Sequence, residues 1–211
     1  SCNGYFVSLM QQVDPAEFLE MAKSLGFGQE SVFAPGYTGA AGTLPTEDSL
    51  LVKRALANFS FGQGETTVSP LQLAAAVNAI AAGGVYTAPR LVYGYADTNL
   101  DIEETEPHEG YKVMEVTTAN RLRAYMESTA RYGTAMRGAP QNCTSGIKTG
   151  TAQTGVYDEN GDEILNYWYA GYICDAEETP VYTIVILEES AGESHTAEAF
   201  RKIGETLADF I

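Results

Sequence analysis

The chain of 211 residues has few positive charges, few cysteines and no long apolar run. Lys and Arg number 12 against 28 Asp and Glu, and the resulting net charge of −16 argues against nucleic acid or an anionic membrane surface as a partner. The three cysteines (Cys2, Cys143 and Cys174) are an odd number without metal-ligand spacing. We therefore expect free thiols, no disulfide framework, no metal site and no cofactor. No segment has the apolar length of a membrane span, and none resembles a signal peptide.

The residues that are present predict one domain over positions 1–211, because 45% apolar content at this length is sufficient for a single core. Helical spacing and capping residues predict helices over about 5–13, 14–25, 71–82, 118–131 and 197–210, with Thr118 as one cap. Residues 34–48 are predicted as loop and 86–116 as a small hairpin, and His108 and His195 are expected on loops. Strands at about 145–153, 165–174 and 180–188 follow one another through short turns. The sequence therefore predicts an α+β fold with an antiparallel sheet flanked by helices.

Two short motifs suggest a chemical role. Lys148-Thr149-Gly150 stands within a run of small and hydroxylated residues that suits an edge strand lining a cleft, and Ser1-Cys2-Asn3 opens the chain. Each motif alone is weak, since Lys-Thr-Gly recurs by chance and Ser-x-Asn also suits the start of a helix. Together they are two of the three motifs that form the acyl-transfer site of penicillin-binding proteins and class A β-lactamases.

Further segments occur in the order found in that family. They are Gly62-Gln63-Gly64, the run from Thr67 to Ala74, Gly133-Thr134-Ala135, and Asn166 with Trp168, Gly171 and Tyr172. Because the order is shared over the whole chain, the sequence resembles the C-terminal part of a penicillin-binding protein transpeptidase domain. The pattern is more similar to the class B high-molecular-mass type than to β-lactamases. The resemblance implies the penicillin-binding protein/β-lactamase-like fold, shortened at its N-terminus.

The resemblance also implies roles for six residues in acyl transfer from a stem peptide ending in D-Ala-D-Ala. Ser1 would relay a proton to the leaving amine, and Asn3 would hydrogen-bond the substrate amide. Lys148 would supply positive potential that orients Ser1 and attracts the substrate carboxylate.

The next three residues would form the binding strand. The Thr149 and Thr151 hydroxyls would bind the terminal carboxylate, and the backbone N–H of Thr151 would contribute to the oxyanion hole. Gly150 would leave room for a ligand along the strand. A β-lactam antibiotic would occupy the same groove as a substrate mimic.

The third motif of the family, the nucleophile-bearing Ser-x-x-Lys, is missing in a usable form. Ser145 and Lys148 have the right spacing, but that motif requires a helix, where residues three apart share a face, and this segment is predicted as a strand. None of the other four lysines has Ser or Thr three positions earlier. We therefore expect that this chain alone forms no acyl-enzyme. The N-terminal part of the domain, with the nucleophile and a membrane anchor, is expected outside the 211 residues.

Two classes of function remain open. The first is a serine-type peptidoglycan D,D-transpeptidase at the extracytoplasmic face of the membrane, with D,D-carboxypeptidase and β-lactamase as enzymatic variants. The second is a non-catalytic module that binds cell-wall peptide, β-lactam or a protein partner. The apolar strand at 181–187, expected to be covered on both faces, would also have an open edge. That edge predicts pairing with the N-terminal part of the domain, or self-association.

Overall fold

The computed structural model describes residues 2–34, 36–190 and 192–211. Its α-helices are α1 (Asn3–Met10), α2 (Pro15–Ser24), α3 (Glu47–Leu50), α4 (Lys53–Phe59), α5 (Pro70–Ala81), α6 (Val116–Tyr132) and α7 (Thr196–Ala208), with a 3₁₀ turn at Met136–Gly138. The short strands are β1 (Val32–Ala34), β2 (Tyr37–Thr38), β3 (Val85–Tyr86), β4 (Gly94–Ala96), β5 (Ile102–Glu104) and β6 (Tyr111–Lys112). The long strands are β7 (Ser145–Tyr157), β8 (Glu163–Cys174) and β9 (Pro180–Ser190).

The three long strands form one antiparallel sheet in the order β7-β8-β9. Side chains alternate between its two faces, and each face packs against different helices. On one face, Ile147, Tyr169 and Ile184 are buried around Phe200 of α7. On the other face, Tyr172 and its neighbours pack against α5 and α6 through residues such as Val77 and Met126. The predicted α+β fold, with helices flanking an antiparallel sheet, is therefore confirmed.

The start of α5 illustrates how local sequence fixes an element and its surroundings. The Ser69 hydroxyl accepts the Gln72 backbone N–H, and the Gln72 side chain accepts the Ser69 N–H, which is a complete capping box. Gln72 is only 2% exposed, and its amide nitrogen also donates to the carbonyl oxygens of Gly26, Gln29 and Ala41. A single buried side chain therefore starts the helix and joins two loops to it, the one between α2 and β1 and the one between β2 and α3.

Several boundaries differ from the prediction. Thr118 is not a cap, because α6 begins two residues earlier and its N-cap residue, Glu115, makes no side-chain cap bond. The region 34–48, predicted as loop, contains β2 and the beginning of α3. The helices α3 and α4 were not predicted at all. They are short, and they are stabilised by tertiary packing of Leu50 and Phe59 against Leu19 of α2.

The last strand, β9, is only partly covered. Ile184 and Val185 contact the helices on opposite faces of the sheet, as predicted for a strand covered on both sides. Nearer its start, Val181 and Tyr182 remain 41% and 38% exposed. Within the described ranges, β9 pairs with β8 alone. Its second edge is therefore open over this part of the chain.

Candidate active site

Strand β7 brings four of the six predicted site residues to one edge of the sheet. It pairs with β8 and has no second partner strand in the described residues. Thr149 and Thr151 share the α7 face, because they are two residues apart in the strand, and Lys148 and Gly150 share the other face. A ligand lying along this edge can reach side chains from both faces and the outward-facing backbone groups of the strand.

Lys148 is the cation of this edge. Its ammonium donates to the carbonyl oxygen of Thr149 at 2.7 Å. Its side chain keeps access to solvent, yet the protein around the amine partly desolvates it. That desolvation lowers the pKa of Lys148 below the ordinary value of 10.5. A partly desolvated cation interacts more strongly with an anion than one in free solvent.

The Thr149 hydroxyl has a partner that sequence reasoning did not assign to the site. It lies 2.9 Å from the Thr134 hydroxyl, which follows the C-terminal end of α6. The turn holding Thr134 is fixed, because the Tyr169 hydroxyl of β8 donates to the Ala135 carbonyl at 2.8 Å. If Thr149 donates its single proton to a carboxylate, its oxygen remains free to accept from Thr134, and the two bonds then strengthen each other.

Gly150 and Thr151 complete the strand part of the site. Thr151 is exposed and faces Tyr167 of β8 in the sheet register. A side-chain carbon added at Gly150 would meet Trp168 at 3.4 Å, an ordinary contact distance. Packing within the chain therefore does not require glycine at position 150, which is compatible with the predicted role of leaving room for a ligand.

The remaining two predicted site residues are near the start of the chain. Ser1 lies outside the described residues. Asn3 is the first residue of α1 and is exposed. The hydrogen bonds found among the described residues connect Lys148, Thr149 and Thr134, and they include none between Asn3 and β7. The structure therefore brings the strand residues together and leaves the contribution of Asn3 a prediction.

Ser145 is not available as a nucleophile in this geometry. It is 6% exposed and belongs to β7, where a residue three positions from Lys148 points to the opposite face. The three cysteines are free thiols, with Cys174 buried and Cys2 exposed. Over the ranges 2–34, 36–190 and 192–211, no group of three or more His, Cys, Asp or Glu side chains is arranged to hold a metal ion. In the same ranges, no helix combines the length and apolar character of a membrane span.

Comparison with known proteins shows which family the chain resembles. A family model of the penicillin binding protein transpeptidase domain matches residues 1–205. Stage V sporulation protein D of Bacillus subtilis is 31% identical over 165 residues, which are 76% of this chain and 25% of that protein. Peptidoglycan D,D-transpeptidase PbpA of Mycolicibacterium smegmatis is 27% identical over 198 residues, covering 93% of this chain and 38% of that protein.

Solved structures show the same fold. Penicillin-binding protein 3 of Mycobacterium tuberculosis, complexed with aztreonam, superposes with a TM-score of 0.83 at 24% identity and covers 99% of this chain and 49% of that one. The imipenem acyl-enzyme of penicillin-binding protein A from M. tuberculosis has a TM-score of 0.80 at 22% identity, covering 100% of this chain and 45% of that one. At identities of 24% and 22%, the similarity to these two structures shows the fold alone.

The chain belongs to the penicillin-binding protein transpeptidase family. The resemblance inferred from the order of its motifs is therefore confirmed, and so is the fold that the resemblance implied. The chain spans between 25% and 38% of the length of the two curated relatives described above.

Proposed function

We propose that this chain is the C-terminal part of the transpeptidase domain of a peptidoglycan D,D-transpeptidase. The whole protein would cross-link stem peptides through a serine acyl-enzyme, and its Ser-x-x-Lys serine would come from sequence outside these 211 residues. In that reaction the serine oxygen attacks the penultimate D-Ala carbonyl, terminal D-Ala leaves, and the amine of a second stem peptide takes the acyl group.

The edge of β7 is the observation that supports this role. The Lys148 ammonium and the Thr149 and Thr151 hydroxyls offer one positive charge and two donors along a single open strand. This set of groups matches a peptide that ends in a carboxylate and adds itself to the strand edge. Asn3 would bind the substrate amide, and Ser1 would relay the proton to the leaving amine.

A β-lactam would bind in the same place, because its carboxylate and carbonyl reproduce the end of the stem peptide. The structural relatives described above were solved with aztreonam and as an imipenem acyl-enzyme, which supports this assignment. Cross-linking of peptidoglycan takes place outside the cytoplasm. We therefore place the active protein at the extracytoplasmic face of the membrane, held there by a segment beyond this sequence.

The test is the intact mass of two proteins after incubation with a reactive penicillin. One is this chain, and the other is the chain extended upstream through a Ser-x-x-Lys motif. We expect a penicilloyl adduct on the longer protein only. An adduct on the 211-residue chain would reveal a nucleophile within it and would contradict the assignment made here.

The second candidate is a non-catalytic module that binds cell-wall peptide or β-lactam. It is favoured by one observation, which is that the only Ser-x-x-Lys spacing in the chain lies in β7 with its serine buried. Absence of an adduct on the longer protein, together with measurable binding of a D-Ala-D-Ala peptide, would support this reading. Hydrolysis of free penicillin, or release of D-Ala without cross-linking, would instead indicate a β-lactamase or a D,D-carboxypeptidase.

A further inference from the structure

A cluster of polar groups joins the end of β9 to the start of α7. One Glu188 carboxylate oxygen accepts the His195 backbone N–H at 2.6 Å and the Ser194 hydroxyl at 3.2 Å. The other carboxylate oxygen lies 3.1 Å from His195 Nδ1. The Tyr167 hydroxyl donates to the Gly192 carbonyl at 3.2 Å. Residues 192–195, called the β9–α7 loop below, are therefore attached to the sheet at both of their ends.

The strand register places this cluster beside the candidate site. Thr151 of β7 faces Tyr167 of β8, and Tyr167 faces Glu188 of β9. Directly opposed residues lie on the same face of a sheet, so these three form one row on the α7 face. With about 4.8 Å between neighbouring strands, Glu188 lies about 10 Å from Thr151. The β9–α7 loop is thus bonded to the β8 and β9 members of this row, on the same face of the sheet as both threonine hydroxyls.

The charges around the cluster make it sensitive to protonation. The hydrogen bond and charge of Glu188 raise the pKa of His195 above its ordinary 6.5, and Glu193 and Glu198 add to this effect. In return, the two His195 hydrogen bonds lower the pKa of Glu188 below its ordinary 4.5, and the Ser194 hydroxyl contributes. The Lys202 ammonium near this group is paired with Glu198 at 2.6 Å.

We propose that Glu188, Tyr167, Ser194 and His195 form a pH-dependent latch that holds the β9–α7 loop against β8 and β9, on the face of the sheet that also carries Thr149 and Thr151. Glu188 is the positioning residue of the latch, since its carboxylate binds both the imidazole and the backbone N–H of His195. The latch rests on these contacts and does not depend on the proposed reaction. Only the effect of the latch on a ligand bound at the β7 edge depends on the proposed function.

The direction of the pH dependence follows from the two pKa shifts. The contribution of His195 is fully present below pH 6.5 and is lost as the pH rises through its raised pKa in the folded chain. The contribution of Glu188 is present above pH 4.5 and is lost as the pH falls through its lowered pKa. The latch is therefore tightest between these two values. Above that range the imidazole is neutral and the ion pair is lost, while the His195 N–H and Tyr167 bonds remain, so the loop loosens without detaching.

The test is a nuclear magnetic resonance titration of the 211-residue chain, which has only two histidines. His108→Gln removes the other imidazole and identifies the His195 resonance. We expect a His195 midpoint above 6.5 that falls toward 6.5 in Glu188→Gln. The protection of the His195 amide against hydrogen exchange should fall about two- to fivefold between pH 6 and pH 8, the size of an exposed charge-pair effect. The Thr151 amide shift should follow the same midpoint.

Two variants distinguish an effect of the Glu188 charge from a general change in the structure of the loop. Glu188→Gln keeps an oxygen for the His195 N–H, and in this variant the change in protection with pH should disappear. Glu198→Gln removes a neighbouring acid that is bonded to Lys202, and it should leave that change in place. An unchanged His195 midpoint in Glu188→Gln, or equal protection at both pH values in the unaltered chain, would overturn the latch. A Thr151 amide shift that does not change with pH at the His195 midpoint would overturn the connection between the latch and the β7 edge.

Discussion

Both outer edges of the central sheet are open in the described part of the chain, yet they carry different chemistry. The β7 edge has a lysine, two threonines and a glycine, whereas the β9 edge begins with the exposed Val181 and Tyr182. The backbone of both edges can pair with another strand. The polar edge adds charge and hydroxyl groups that recognise the end of a peptide, while the apolar edge adds only contact area. The side chains, and not the open backbone, therefore distinguish a ligand site from a strand-pairing surface.

The largest expected effect concerns the attachment of β7 to β8. In Gly171→Ala, the new carbon would lie 2.3 Å from the Gly146 carbonyl oxygen and 3.0 Å from Ile147 Cα. Both contacts are with backbone, so the strands must separate, and we expect a loss of about 3 kcal/mol in the free energy of unfolding. Urea denaturation measures it. The matched control is Gly150→Ala, where the added carbon meets Trp168 at 3.4 Å and stability should change by less than about 1 kcal/mol. Equal losses in both variants would contradict this distinction.

The second effect concerns the charge of the β7 edge. Lys148→Met keeps the length of the side chain and removes the ammonium, so a substrate carboxylate loses a charge-assisted bond worth about 1.5–3 kcal/mol. In a protein that carries this chain and an upstream Ser-x-x-Lys, the rate of acylation by penicillin should fall about 10- to 100-fold. Lys202→Met, on α7, removes an equal charge away from the edge and should leave the rate unchanged. A similar loss in both variants would show that net charge, and not this edge, controls the reaction.

A smaller effect is expected at the hydroxyl that supports Thr149. Thr134→Val keeps the shape of the side chain and removes the hydroxyl lying 2.9 Å from that of Thr149. We expect weaker binding of a carboxylate-bearing β-lactam by about 1 kcal/mol, or roughly fivefold, with full recovery in Thr134→Ser. The comparison to make is with an ester of the same β-lactam, whose binding should not respond. A loss that is equal for the acid and the ester would indicate a structural role only.

The smallest effect concerns the β9 edge. If this edge pairs with a second copy of the chain, Val181→Lys should weaken dimerisation by up to about 1 kcal/mol, because it places a charge opposite the partner strand. Sedimentation equilibrium of the 211-residue chain measures the dissociation constant. Leu51→Lys is the control, since Leu51 is 83% exposed and lies outside the sheet. A chain that stays monomeric at every concentration would refute self-association through this edge.

Much of the fold was predictable because its signals are local. The capping box at Ser69 and Gln72 and the Pro at the start of α2 each placed a helix to within one or two residues. The three long strands were also found, since their apolar and aromatic runs are bounded by clear turns. Helices α3 and α4 escaped prediction, because packing of Leu50 and Phe59 against α2, and not helix propensity, stabilises such short segments.

The residues of the candidate site also differ in whether local sequence could predict them. The Lys-Thr-Gly motif is contiguous, so the sequence identified Lys148, Thr149 and Gly150 and assigned them to a strand. Thr134 lies 15 residues before Thr149 and meets it only because the end of α6 is bonded to Tyr169 of β8. No periodicity or spacing in the sequence carries that information.

The sequence by itself determined the class of the protein, the helix ends with strong caps, the strands and the motif that carries the charge. The class follows from the order of short motifs along the whole chain, and the helix ends, the strands and each motif depend on residues close together, whose propensities and spacing act locally. Only the tertiary structure decided that Thr134 supports Thr149 and that Thr151, Tyr167 and Glu188 form one row across the sheet. Both arrangements depend on the register between strands and on side chains meeting across distant segments, which packing of the whole core fixes.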